Sequence, residues 1–277
     1  MGNSARRSAI RRTWGQERRF SDVEVRVVFL LGSSLSQASL QAEVEEEVVQ
    51  FGDIVQGSFT DSYYNNSIKT AMGLRWAVES CPRSRFYMFV DDDYYVSTRN
   101  VLAFLRNPVN YPRYLQEDVI SFDPEQQQQQ QQAVRGRHLA QLVDFDLPAD
   151  VRLWSGYVFP RSRPHRHAWS KWFVSLAEYP YNFWPPYVTA GCYVLSRAAL
   201  VDMYYTSYYT QMFRFDDIWL GLVGGKAELE PLHSDQFHFQ PPAYTVNKYK
   251  YVVASHGWGE PAELERVWNQ QKQAGNA

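Results

Sequence analysis

The chain has 277 residues, 45% of them hydrophobic, which is enough for a sizeable buried core. Lysine and arginine total 28 against 30 aspartates and glutamates, so a net charge of -2 gives no electrostatic ground for a nucleic-acid partner or an anionic membrane. Cys81 and Cys192 cannot build a disulfide framework, no run of about 18 apolar residues exists to span a bilayer, and the polar start MGNSARRSAIRR is no secretory signal.

In chain order, ARRSAIRRTW has helical spacing, with Ile10 and Trp14 one turn apart. VEVRVVFLLG, residues 23–32, is β-branched and ends in Gly32, which predicts a buried strand. LQAEVEEEVVQF predicts an acidic amphipathic helix closed by Gly52. DIVQG predicts a strand, IKTAMGLRWAVESC a helix and FYMFV a third strand. This rhythm predicts an α/β fold with a parallel sheet, whose ligands gather at the carboxyl ends of the strands. After a helix over TRNVLAFLR, residues 107–150 hold prolines and a tract from Gln126 to Gln132, and they predict a disordered surface insertion in an otherwise single domain spanning 1–277. Regular structure resumes at VRLWSGYVF, with helices expected near RAALVDMYY, after FRFDD and from Pro261 onward.

The sharpest feature is FYMFVDDDYYV, in which an apolar strand runs into Asp91, Asp92 and Asp93. Strand alternation would turn Asp91 and Asp93 to one side, and Asp92 inward or to a backbone partner. Two carboxylates on one side fit Mg²⁺ or Mn²⁺ carrying a diphosphate; the alternative is an acidic loop that caps the next helix. No GxxxxGK or other Gly-rich phosphate loop is present, which disfavours nucleotide hydrolysis of that kind. Asp216 and Asp217 could supply a general base or an N-terminal helix cap. His256 could be a metal ligand or a loop histidine. The aromatic run EYPYNFWPPYVTAG could line a sugar groove or pack around its prolines, and Arg6, Arg7, Arg11 and Arg12 could meet a phosphate or form a solvated helix face. Asn65-Asn66-Ser67 is an N-glycosylation acceptor triplet, in keeping with a lumenal domain.

Taken together, RRSAIRRTWG, VVFLLG, DIVQGSFTDSYYNNSIKT, FVDDDYYV, YPYNFWPPYVTAGCYVLS and FRFDDIWLG stand in the order found in the inverting β-1,3-galactosyltransferase and β-1,3-N-acetylglucosaminyltransferase family, which the chain resembles from about residue 4 to 270. SKWFVSLAEYP, WPPYVTAG and ASHGWGEP resemble its insect brainiac type most closely. The resemblance implies a glycosyltransferase A-type fold: a Rossmann-like nucleotide-binding sheet with helices on both faces, fused to an acceptor-binding half. It also implies a Golgi type II membrane enzyme that moves N-acetylglucosamine from UDP-GlcNAc to a β-linked mannose of a glycosphingolipid or glycoprotein. The alternatives are UDP-Gal as donor, or a truncated glycan-binding relative without turnover.

Residue by residue, the resemblance makes Asp93 the direct Mn²⁺ (or Mg²⁺) ligand, sets Asp91 and His256 with it at the metal site, and puts Asp91 and Asp92 near the nucleotide. Asp217 becomes the catalytic base, with Asp216 its neighbour. Arg7, Arg11 and Asp61 fall near the nucleotide pocket, and Trp184, Pro186, Tyr187 and Gly191 on the acceptor side. Family members carry an anchor, a stem and a first strand ahead of RRSAIRRTWG; this chain starts at Met1 and is expected to lack that strand, leaving a sheet edge open.

Overall fold

The computed structural model describes residues 1–34, 37–120 and 147–277; the glutamine tract lies outside the described residues. Helix α1 (Ser4–Arg12) buries Ala9 and Ile10, as its spacing predicts. Strand β1 is only Phe29–Ser33, shorter than the β-branched run. Residues 23–28 have strand composition but no strand beside them among the described residues, and Val27 gives its amide to the Glu17 carboxylate at 2.8 Å instead. Helix α2 (Ala38–Phe51) ends at Gly52 in the left-handed conformation, and β2 (Ile54–Thr60) then pairs parallel with β1.

Helix α3 (Asn66–Ser80) leads to β3 (Phe86–Val90), followed by β4 (Tyr94–Val96) and by α4 (Thr98–Arg106), which Ser97 caps through its side-chain oxygen. Helix α5 (Arg113–Ile120) lies inside the stretch expected to be irregular. Just ahead of it, Tyr111 is buried and its hydroxyl donates to the Tyr251 carbonyl at 2.8 Å, so ordered packing continues beyond residue 107. The second half comprises β5 (Trp154–Phe159), β6 (Tyr187–Ser196), α6 (Arg197–Ser207), α7 (Asp216–Lys226), β7 (Leu232–His233), β8 (Phe237–His238), β9 (Ala254–His256) and α8 (Pro261–Gln273). Among the described residues no helix is long and apolar enough to cross a membrane.

Among the described residues the strands form three sheets: β1-β2, β3-β6-β5-β7 and β4-β9-β8. The expected continuous parallel sheet is thus interrupted, because β3 pairs antiparallel with β6 and no described strand joins β1 to β3. Leu30 of β1 and Phe89 of β3 nevertheless both reach Gly73 of α3, so the two strands lie under one helix with facing edges unpaired. Strand alternation divides the core. Phe86, Met88 and Val90 join one cluster with α1, α4, α8 and the small sheet, whereas Tyr87 and Phe89 join another with α3, α6 and α7. Helices therefore cover both faces, as predicted.

Arg7 and Arg11 hold α1 against this framework. Arg7 is 2% exposed and grips Glu47 of α2 through two bonds of 2.8 and 2.5 Å; Arg11 grips Asp53 through two bonds of 2.7 Å. Burial alone would raise the Glu47 pKa, but the hydrogen bonds from Arg7 and Arg11 outweigh it and hold the carboxyl below the ordinary range. A depressed carboxyl pKa stabilises the fold above the unfolded-state pKa, and that stabilisation is lost as pH falls through the folded value. We expect Glu47→Ala to destabilise the chain by about 3 kcal/mol in urea unfolding at neutral pH, since it leaves Arg7 buried without its partner, and by much less once acid has protonated the carboxyl.

Candidate active site

The acidic triplet spans the step from one sheet to another. Val90 closes the β3–β6 ladder opposite Cys192, and the Asp91 amide extends it by one bond to the Gly191 carbonyl at 2.9 Å. The chain then turns at 92–93 and enters β4, where Tyr94 stands opposite His256 of β9. That turn breaks the alternation predicted for the triplet. Asp92 points neither inward nor to a backbone partner: its part-exposed carboxylate takes Arg6 Nη1 at 2.9 Å and Asn3 Nδ2 at 2.8 Å.

Asp93 faces His256. Its Oδ2 lies 3.3 Å from His256 Nε2, while its Oδ1 is buried with no protein partner. The Trp258 amide donates to the Asp93 carbonyl at 2.8 Å and ties the triplet to the ASHGWGEP turn. Asp91 is exposed as a residue, yet its carboxyl has protein around most of it. Its pKa is pushed upward by this crowding and by the charges of Asp216, Asp93 and Asp92, with Lys69 opposing.

Asp216 and Asp217 open α7. Asp217 Oδ1 accepts from the Ile218 amide at 2.7 Å and Asp216 Oδ1 from the Asp217 amide at 3.1 Å, so both carboxylates also serve the helix's first turn. Burial raises both pKa values; for Asp217, burial and then the Asp216 charge bring it to about 7. The helix is pressed onto β6 through Gly221, where an added Cβ would stand 2.8 Å from the Tyr187 Cβ. This close approach brings Asp217 near Tyr187, whose own pKa it helps to raise.

An aromatic chain links the two ends of the site. Tyr187 stacks on Phe159 at 5.2 Å, Phe159 meets Phe239 at 5.5 Å, and Phe239 lies parallel to the His256 ring at 6.5 Å. On the other side, Asp61 accepts from Lys69 at 2.7 Å, from the Met1 amine at 3.2 Å and from the Gly32 amide at 3.1 Å. Burial alone would raise its pKa, but these bonds lower it. Lys69 also acts on Asp91 and Asp216, so it connects Asp61 to the acidic centre.

Several predicted contacts have other work. Arg7 and Arg11 are held in the ion pairs to Glu47 and Asp53 and present no free guanidinium to a phosphate. Trp184 is buried between Tyr179, at 4.1 Å, and Phe213, at 5.5 Å, where it packs in the core. Gly191 is a close-approach position, because a Cβ there would stand 2.5 Å from the Tyr94 hydroxyl. Pro186 is exposed and lines a shallow depression with Gly225, Glu228 and Leu229 at the other end of α7 from Asp217. Tyr187 is the predicted acceptor-side residue that borders Asp217.

In the glycosylation triplet, Asn65 Nδ2 donates to the Thr60 carbonyl, and the buried Ser67 hydroxyl donates to the Phe213 carbonyl. Both side chains brace the start of α3. Cys81 and Cys192 are free thiols, Cys192 being wholly inside the core. Sequence reasoning passed over Lys69, Phe239 and the pairing of Arg6 with Asp92. For Lys69 the available signal was a lone cation one helical turn into α3, shortly after Asp61.

The sequence profile of the galactosyltransferase family matches residues 5–135 and 130–235. The chain is 45% identical over 278 residues to beta-1,3-galactosyltransferase brn of Drosophila melanogaster, covering 100% of this chain and 73% of that protein. It is 29% identical over 263 residues to beta-1,3-galactosyltransferase 1 of Mus musculus, covering 95% and 68%. A solved glycosyltransferase involved in glycosylation of the major capsid of PBCV-1 aligns over 88% of the chain with 12% identity and a TM-score of 0.38, a likeness too distant to add weight. The chain belongs to the galactosyltransferase family, and is a hexosyltransferase with the α/β architecture its motifs imply.

Proposed function

We propose that the chain is one catalytic domain that joins a hexose to the 3-hydroxyl of a glycan acceptor in a β linkage, using a UDP-sugar and Asp217 as general base. The observation that carries this reading is the setting of Asp217: part-buried at the start of α7, beside Tyr187 on the acceptor side, with its pKa raised to about 7. An ordinary aspartate, near 3.9, is a poor proton acceptor at neutral pH; one raised by burial is a stronger base and is still substantially ionised there. Attack by the deprotonating 3-hydroxyl on the face opposite the diphosphate inverts the anomeric centre in one displacement, so no covalent enzyme intermediate is needed. One Asp217 oxygen, Oδ1, is held by the Ile218 amide at the start of α7, which helps to fix where the proton is received.

The residues at the other end fit a divalent ion. Asp93 Oδ1 is buried without a partner, and Asp93 Oδ2 and His256 Nε2 already converge. Among the described residues no three His, Cys, Asp or Glu side chains lie close enough together to enclose an ion. Asp93 and His256 would therefore hold it in part, leaving diphosphate oxygens and water to complete its shell, as hard cations at phosphate sites require. When bound, a Mn²⁺ or Mg²⁺ ion supplies Lewis-acid stabilisation of charge on the departing diphosphate. Asp91 lines the floor between this end and Asp216, where a nucleotide diphosphate would pass.

For the donor, the resemblance of SKWFVSLAEYP and ASHGWGEP to the brainiac type supports UDP-GlcNAc, with a β-linked mannose of a glycosphingolipid or glycoprotein as acceptor and the Golgi lumen as compartment. The similar proteins, named as beta-1,3-galactosyltransferases, support UDP-Gal. Incubating the chain with both donors and a β-mannoside distinguishes them: the first reading expects HexNAc addition to predominate, and hexose addition alone would reverse it.

Asp217→Asn should lower kcat/KM by about 10²–10⁴-fold, the usual worth of a general base, while leaving UDP binding intact. Normal turnover in that variant would remove the base assignment. Because the base must be ionised, kcat/KM of the parent chain should rise with pH through about 7 and level off above it. A carboxyl whose folded pKa is raised loses stability as pH climbs from its unfolded towards its folded value. Asp217→Asn should therefore melt higher than the parent at pH 8 and equally at pH 4, a comparison that separates charge burial from general damage.

A further inference from the structure

Residues 151–177 contain Arg152, Arg161, Arg163, Arg166 and Lys171 and no aspartate or glutamate, a local excess that the near-neutral total charge conceals. Within this stretch the chain leaves the acceptor side as a loop and returns at Trp184. The loop is built rather than loose. The guanidinium of Arg166 donates to the carbonyls of Val174, Ser175, Tyr179 and Tyr181 at 2.8 to 3.0 Å, and the Val174 amide donates back to the His165 carbonyl at 2.8 Å. The loop buries Val174 and Trp184 in the core, yet it holds other large apolar residues out. Trp169 is 96% exposed, and Trp172, Leu176 and Tyr181 are exposed as well.

The cations share this surface. Arg161 and Arg163 lie over the ring of Phe183 at 4.6 and 4.9 Å, and Lys171 lies over Tyr63 at 4.1 Å. Among the described residues, none of the three forms an ion pair with a carboxylate. Exposed tryptophan and tyrosine beside unneutralised arginine and lysine is the chemistry of a surface that meets lipid headgroups: the rings sit at the boundary between headgroup and acyl chain, and the cations meet the phosphates. A partner protein of acidic surface would answer the cations, but it gives no reason for a braced loop to project Trp169 almost wholly clear of its neighbours.

We infer that the loop 161–184 docks the domain on a phospholipid bilayer, with Trp169 and Trp172 at the headgroup boundary and Arg161, Arg163 and Lys171 on anionic lipid phosphates. The same segment reaches the acceptor side. The Trp184 amide donates to the Ser162 carbonyl at 3.0 Å, and the Ser162 hydroxyl donates to the hydroxyl of Tyr187, the neighbour of Asp217, at 3.2 Å. Docking through this loop would bring the base towards the membrane surface, where a lipid-borne glycan is presented. That last consequence rests on the lipid-acceptor reading above; the docking itself does not.

The test is sedimentation of the purified chain with vesicles of phosphatidylcholine alone or mixed with phosphatidylserine, with tryptophan emission recorded in parallel. The chain should pellet with the mixed vesicles and its emission should shift to the blue. Trp169→Ala, and separately the triple change R161E/R163E/K171E, should weaken binding by at least about tenfold. Trp169→Ala should keep the parent's melting temperature and its turnover of a water-soluble acceptor. The inference is overturned if the intact chain stays in the supernatant, or if Trp169→Ala binds vesicles as tightly as the parent. It is also overturned if Trp169→Ala loses turnover of the soluble acceptor, which would make the loop part of the acceptor site. Vesicle binding is read without any transfer reaction, so a failure of the transferase reading leaves this result standing.

Discussion

Four carboxylates, Asp91, Asp93, Asp216 and Asp217, converge where the four-stranded sheet meets the three-stranded one, and the neighbouring cation is Lys69. Like charges held together in a crowded place repel, and each must be protonated, paired or met by a cation. The fold maintains the arrangement with backbone rather than counter-charge. The Asp91 amide is fixed to Gly191, the Asp93 carbonyl to Trp258, and α7 is pressed onto β6 at Gly221, a position where any larger residue would displace it. Unfavourable electrostatics at one place, sustained by rigid packing around it, is a common signature of a catalytic centre.

Within that cluster the two ends differ in the way the proposed chemistry requires. A base benefits from burial, which raises its proton affinity, and Asp217 has burial together with the Asp216 charge. A metal ligand needs an oxygen that the protein leaves unclaimed, and Asp93 Oδ1 is such an oxygen. The two proposed roles fall on separate elements, α7 for the base and the turn into β4 together with β9 for the ligand pair, while the aromatic chain from Tyr187 through Phe159 and Phe239 to His256 connects them.

Much of this is legible in the residues alone, and the failures have a shared cause. FYMFV, LQAEVEEEVVQF with Gly52 and the helices at Thr98, Arg197 and Pro261 are local patterns, and they form where the patterns put them. The direction of β3 relative to its neighbour is set by β6, a hundred residues later, and nothing in FYMFV records it. Arg7 and Arg11 share a helix face and invite a phosphate, but Glu47 and Asp53 lie 40 and 42 positions away, beyond the reach of any local pattern. Alternation misplaced Asp92 because the strand has already turned at that residue, and Arg6 had drawn the carboxylate outward. Trp184 and Gly191 came from the resemblance of a whole segment, which does not tell lining from packing: Trp184 is buried among rings and Gly191 leaves room for Tyr94. Averages mislead in the same way, as the basic stretch from 151 to 177 inside a near-neutral chain shows.

The central claim is that Asp93 leaves an oxygen for a divalent ion through which the site holds a nucleotide diphosphate. Titration of UDP into the chain by calorimetry, with Mn²⁺ present and then chelated, addresses it directly. Binding with Mn²⁺ that disappears on chelation, and is absent in Asp93→Ala at either condition, is the predicted result. Equal UDP binding with and without the ion, or unchanged Mn²⁺-dependent binding in a folded Asp93→Ala variant, would contradict it.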